Sequence, residues 1–136
     1  MLTVYIVDDS RLIRERIAEL VADIAGIEIV GQSGDPLEAL YNIRKSHPDV
    51  VVLDIRLPHK NGIDVLKNIK ENSAAPIVLM ITNYPYRQYR QACMSAGADY
   101  FFSKTDEFDM ILETLSRICL HRQNNIYDIW KSQKKG

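Results

Sequence analysis

The chain has 136 residues, 46% hydrophobic and 26% charged, which suits one domain built on a single core. Its formal net charge of −1 argues against a surface made to coat nucleic acid or an anionic membrane. The opening apolar run, LTVYIV, is broken by Asp8 and Asp9, too early for a signal peptide or a membrane span.

Residues 2–7 (LTVYIV) read as a strand, and Ile13, Ile17, Leu20, Val21 and Ile24 then recur at helical spacing. A second strand is expected at 27–31 (IEIVG). Asp35-Pro36-Leu37-Glu38 supplies an N-cap, a proline at the first helical position and a capping-box glutamate. The helix so begun carries Leu40 and Ile43 and closes at Pro48. Residues 49–54 (DVVVLD) are apolar on both faces, as in a strand inside a parallel sheet. Ile63, Leu66 and Ile69 mark a third helix, 76–82 (PIVLMIT) a fourth strand, and Tyr89, Cys93 and Ala96 a fourth helix ended by Gly97. A fifth strand, 99–103 (DYFFS), precedes the clearest stripe, Phe108, Ile111, Leu112, Leu115, Ile118 and Cys119. Five βα units in a row imply an α/β fold, a doubly wound parallel sheet with right-handed crossovers. Cys93 and Cys119 lack CxxC spacing and read as reduced core thiols of a cytoplasmic protein, with a pairing of the two left open. His47, His59 and His121 are scattered and form no zinc-like cluster.

Ligands of such sheets bind at the carboxyl ends of the strands. There the first strand is followed by Asp8, Asp9 and Ser10, the third ends on Asp54, the fourth on Thr82, and the fifth is followed by Lys104. Each has an ordinary explanation alone: Asp9 or Ser10 as a helix cap, Asp54 for loop amides, Thr82 as a β-former, Lys104 as a solvated side chain. None of these explains why four strands place polar groups at one rim. Three crowded carboxylates repel, which raises their proton affinity or calls in a cation, and oxygen ligands suit Mg²⁺. With the ammonium of Lys104 and the hydroxyl of Thr82 they form a cradle for a phosphoryl group. Asp54, on the central strand, is the best nucleophile, and the Asp8/Asp9 pair is placed to hold the metal.

The segments VYIVDDS, VVVLDIRLPHKNGIDVL, PIVLMIT and GADYFFSKT together resemble the receiver domain of bacterial two-component response regulators, over residues 2 to about 121. The resemblance implies a flavodoxin-like (βα)5 fold with strand order 2-1-3-4-5. It implies that Asp54 accepts phosphate from a histidine kinase's phosphohistidine. Asp8 and Asp9 would bind Mg²⁺ with Asp54 and the backbone carbonyl of Arg56, and Thr82 and Lys104 would contact the phosphoryl oxygens. Phe101 would be a switch residue that turns inward when Thr82 moves, reshaping the surface of the fourth helix, fifth strand and fifth helix. Three positions depart from the common pattern. Asn83 stands where a small residue is frequent and narrows access to Asp54; Thr105 replaces a frequent proline; and Phe101 lacks a phenol. Arg56 and Tyr84 occupy positions that face each other across the family's site and are expected to shield the phosphoryl group from water.

The resemblance makes residues 1–121 the receiver domain and 122–136 a C-terminal tail or linker remnant, with Ile126, Tyr127, Ile129 and Trp130 ahead of a basic end. It implies a sensor histidine kinase or phosphotransfer protein as partner and allows a phosphorylation-dependent homodimer. No direct nucleic-acid binding, no membrane contact and a cytoplasmic setting are expected. Among rival functions, a haloacid-dehalogenase-type enzyme wants a carboxylate where Arg56 stands, and a nucleotide-binding protein wants a Gly-rich motif the chain lacks. A receiver-like interaction module not regulated by phosphorylation is the stronger rival, but such modules normally lose a site residue and this chain keeps all five. The expected activity is therefore signalling, with autocatalytic phosphotransfer and dephosphorylation, rather than turnover of a substrate.

Overall fold

The computed structural model describes the backbone of residues 1–134 and the side chains of residues 1–124. Strands β1 (Leu2–Val7), β2 (Ile27–Ser33), β3 (Val50–Asp54), β4 (Ile77–Thr82) and β5 (Tyr100–Ser103) alternate with α1 (Arg11–Ala22), α2 (Pro36–Ser46), α3 (Gly62–Lys70), α4 (Arg87–Ser95) and α5 (Phe108–Lys134). All strand pairs are parallel, in the order β2-β1-β3-β4-β5. Asp54 therefore ends the central strand, and all five β3 residues are buried, as their unbroken apolar run requires.

The period-2 alternation of the strands sorts the core into two layers. Tyr5, Val7, Val51, Leu53, Val78 and Met80 face α2, α3 and α4, whereas Val4, Ile6, Val50, Val52, Leu79 and Ile81 face α1 and α5. Cys93 belongs to the first layer and Cys119 to the second, so the sheet stands between them and both are free thiols. Burial pushes the Cys93 thiol up to about 11.

Local chemistry sets the helix starts. Ser10 Oγ accepts from Ile13 N at 3.3 Å, Asp35 Oδ2 from Glu38 N at 2.8 Å and Asn61 Oδ1 from Ile63 N at 2.8 Å. Helix α4 is the exception, because Tyr86 at its N-cap makes no side-chain capping bond. The edge strand β2 carries an irregularity: Val4 pairs with Ile29 but Tyr5 with Gly31, leaving Val30 bulged. Gly31 is required there, since a Cβ would lie 2.6 Å from the Tyr5 ring.

The sequence reading ends the last helix near residue 121, but α5 continues to Lys134. No glycine or proline interrupts residues 108–134 to stop it. The tail residues Ile126, Tyr127, Ile129 and Trp130 lie outside the described side chains.

Candidate functional site

At the carboxyl rim the backbone brings four strand ends together. Carboxylate oxygens of Asp8, Asp9 and Asp54 lie within 4.8 Å of one another, Asp8 and Asp54 buried and Asp9 exposed. Lys104 Nζ sits 2.5 Å from Asp8 Oδ2 and 3.0 Å from Asp54 Oδ2, bridging the two acids. The remaining oxygens look inward: Asp8 Oδ1 accepts from Ser10 N at 2.8 Å, and Asp54 Oδ1 from Arg56 N at 3.3 Å. Asp8 Oδ2 is close enough to Lys104 for an ion pair, yet it is the one fully buried side-chain oxygen without a well-angled hydrogen bond among the described residues.

The electrostatics follow from this crowding. Burial, then the charge of Asp8, push the Asp54 carboxyl up; Lys104 and the Arg56 amide pull it back, leaving it at about 6. Burial works against the charge on Lys104, but Asp8 and Asp54 outweigh it and raise the lysine above its ordinary value. Lys104 is thus a fixed cation between two acids that would otherwise repel.

Thr82, almost fully buried at the end of β4, accepts from Tyr84 N at 2.9 Å, which leaves its own hydroxyl proton to aim into the cleft. The cleft, about 260 Å³, is walled by Asp9, Asp54, Arg56, Thr82, Asn83, Tyr84 and Lys104. Across its mouth the Arg56 guanidinium lies 4.1 Å from the centroid of the Tyr84 ring. The structure thus brings together every expected site residue except one.

The exception is Phe101. Its ring is only 4% exposed and packs in the layer with Met80, Cys93 and Ala98 rather than at the cleft. The sequence reading has this ring turn inward when Thr82 moves; here it is already inside, with the Arg90 guanidinium 5.7 Å from its centroid. A phenylalanine has no hydroxyl to keep at the surface, so burial of the whole ring is its favoured state. The Lys104–Thr105 bond is trans.

Two positioning residues escaped the sequence reading. Arg14 Nη1 donates to the Asp8 carbonyl at 2.6 Å and steadies the loop that carries both β1 acids. Gly62 opens α3 directly beneath Asp54: a Cβ there would lie 2.0 Å from the Asp54 carbonyl oxygen. A glycine just after a capping asparagine was the only available hint.

Comparison with known proteins agrees with this geometry. A response regulatory protein of Vibrio cholerae serotype O1 is 32% identical over 93% of this chain and 52% of its own length. A protein-glutamate methylesterase/protein-glutamine glutaminase of Anaeromyxobacter dehalogenans is 40% identical over 56% of this chain and 21% of its own. The chain thus spans about half or less of these relatives. Among solved structures, the response regulator domain of Thermotoga maritima CheB superposes with a TM-score of 0.78 at 25% identity, covering 91% of this chain and 97% of that one. A chain of the CheX–CheY–BeF3–Mg²⁺ complex of Borrelia burgdorferi also gives 0.78, at 28% identity, covering 86% and 88%. Residues 4–116 match the family model described as the response regulator receiver domain, and with its β2-β1-β3-β4-β5 sheet and acidic rim this chain belongs to that family.

Proposed function

We propose that Asp54 accepts a phosphoryl group from the phosphohistidine of a sensor histidine kinase or phosphotransfer protein, with Mg²⁺ bound beside it. One observation carries the reading: a buried carboxylate at the end of the central strand, 3.0 Å from Lys104 and grouped with two further carboxylates. The donor set suits a hard dication, being all oxygen and including Asp8 Oδ2, which meets Lys104 without a well-angled hydrogen bond. Asp8, Asp9, Asp54 and the Arg56 carbonyl would hold the ion. When bound, Mg²⁺ offsets carboxylate repulsion and draws charge from the phosphoryl oxygens.

An Asp54 oxygen attacks phosphorus while the P–N bond breaks, its electron pair leaving with the imidazole. Lys104 then binds a phosphoryl oxygen in place of a carboxylate, and the Thr82 hydroxyl donates to another. Phe101 already lies inside the core, the inward setting of that switch. The change runs through Thr82, whose bond to Tyr84 N joins the cleft to the uncapped start of α4. A shift there alters the surface of α4, β5 and α5, where Tyr86 and Arg90 are exposed, for a partner or a second copy of the chain. To move such an equilibrium decisively the phosphoryl group must favour one state by about 5.5 kcal/mol.

The stacked Arg56 and Tyr84 cover the line of approach for a hydrolytic water, which makes the phosphorylated form long-lived. No helix among the described residues is long and apolar enough to cross a membrane, and the proposed setting is the cytoplasm, where the kinase's phosphohistidine lies. Incubation with acetyl phosphate and Mg²⁺, read by intact mass, tests the assignment. The parent should gain one phosphoryl group and Asp54→Asn none; equal labelling of the two would overturn it.

A further inference from the structure

The helices α2 and α3 enclose a trench that phosphoryl transfer does not use. Its volume is about 710 Å³, with Leu37, Tyr41, Arg44 and Lys45 on the α2 side facing Lys60 and Asn68. Leu40, buried in the core, contributes to its lining. Leu37 and Tyr41, one helical turn apart, are 68% and 65% exposed and form one apolar pair on the outer face of α2. The trench continues past Arg44 and Asn68 into a second cavity of about 370 Å³ at the far ends of both helices.

Its charge is one-sided. Three cations and no carboxylate line the 710 Å³ trench itself, Asp49 bordering only the second cavity, and among the described residues no acid lies within salt-bridge reach of Arg44, Lys45 or Lys60. Arg44 is oriented by a hydrogen bond to Asn68 Oδ1, and the Lys45 ammonium lies 6.0 Å from the Tyr41 ring centroid. Two apolar anchors inside a cationic frame suit a ridge that is apolar along its crest and acidic along its flanks. An amphipathic acidic helix has that form. A second copy does not, because a two-fold contact would set these unpaired cations against one another. A flat anionic membrane fits a concave trench less well than a helical ridge does.

We infer that the α2–α3 trench is a docking groove for an acidic amphipathic helix of a partner protein, separate from the phosphoryl site and from the α4–β5–α5 surface. Leu37 and Tyr41 supply apolar contact, and Arg44, Lys45 and Lys60 select acidic flanks and speed encounter.

The probe is a capped helical peptide of about five turns with leucines on one face and glutamates flanking it, beside a twin with lysines in their place. Binding is followed by amide NMR shifts in the full chain. The glutamate peptide should give saturable shifts confined to residues 36–46 and 60–70, weakening with salt, and the lysine twin none. The Lys45→Glu, Lys60→Glu double variant should lose at least tenfold in affinity for the glutamate peptide and gain binding of the lysine twin. A merely damaged fold cannot produce that reversal. Unchanged phosphoryl uptake from acetyl phosphate by the double variant would show the other site intact. Failure of the glutamate peptide to bind, or equal binding of the twins, would overturn the proposal. So would shifts at these residues produced only by phosphatidylglycerol vesicles, or sedimentation showing self-association through this face.

Discussion

The two rims of the sheet use aspartate in opposite ways. At the amino rim, Asp49 Oδ2 accepts from Thr3 N and Thr3 Oγ1, both at 2.9 Å, and meets Arg122 at 2.5 Å. On the far side of that rim Asp99 Oδ2 accepts from Val78 N at 2.8 Å and Lys70 Nζ at 2.9 Å. Each carboxylate ties the start of one strand to a neighbouring segment through an Oδ2 that meets both a backbone N–H and a cation. At the carboxyl rim Asp54 and Asp8 share one lysine, and an Asp8 oxygen lacks a proper hydrogen bond. The acidities part accordingly. Burial pushes Asp49 up, but Arg122 and the two Thr3 donors outweigh it and hold the carboxyl below its ordinary value, whereas Asp54 rises to about 6. One rim ties its carboxylates into the backbone, and the other crowds them around a single lysine, the pattern of a candidate site.

The sharpest way to break this contrast is to exchange the consequences of losing an acid. Asp54→Asn should abolish phosphoryl uptake by intact mass, while Asp49→Ala and Asp99→Ala should keep it. Uptake by Asp54→Asn at the parent's rate would erase the distinction.

The next effect concerns pH. A carboxyl raised from 3.8 to about 6 binds its proton more tightly in the folded chain, so stability is fully present below 3.8 and is lost as pH rises through about 6. That loss is worth roughly 3 kcal/mol. Asp49, lowered, behaves in reverse: its contribution is present above 3.8 and is lost as pH falls through its lower folded value. Urea unfolding in EDTA should therefore show stability declining between pH 4 and 6, with Asp54→Asn flattening that decline. A decline of equal size in the variant would place its source elsewhere.

Removal of Asp49 leaves Thr3 N without its partner, which should cost about 1–3 kcal/mol at pH 7. Asp99→Ala should cost a similar amount, because Val78 N likewise loses its acceptor, while the partly exposed ion pair with Lys70 adds little. Denaturant midpoints measure both.

The smallest effect belongs to the mouth of the cleft. Loss of the Arg56–Tyr84 stack in an Arg56→Asn, Tyr84→Ala double variant should speed loss of phosphate about tenfold, equivalent to about 1.4 kcal/mol in the barrier. Equal decay rates of parent and variant would end the shielding reading.

The carboxyl rim was legible because its residues follow strand runs that periodicity marks plainly, as with Asp54 after VVVL. The family's layout implied that Arg56 and Tyr84 face each other across the cleft; that their side chains stack on one another was not foreseen. The amino-rim ties were not legible. Asp49 and Asp99 look like turn residues before strands, and their partners Thr3, Arg122 and Lys70 are distant in sequence. The position of Phe101 escaped for a different reason: a switch has two settings, and no pattern in the chain says which is occupied. The end of α5 was misplaced because the resemblance stops near residue 121, although nothing in the chain there stops a helix.

The bulge at Val30 has a consequence for how the sheet meets the outside world. A five-stranded parallel sheet ends in two strands whose outer backbone groups lack a ladder partner, and another chain could add to either. Here β2 is kinked where Gly31 gives way to the Tyr5 ring, and β5, at the opposite side, offers only four residues. Neither border is a long, flat template for strand addition. The sheet is thereby protected against growing into fibres, and contacts with other proteins are left to its helices and loops.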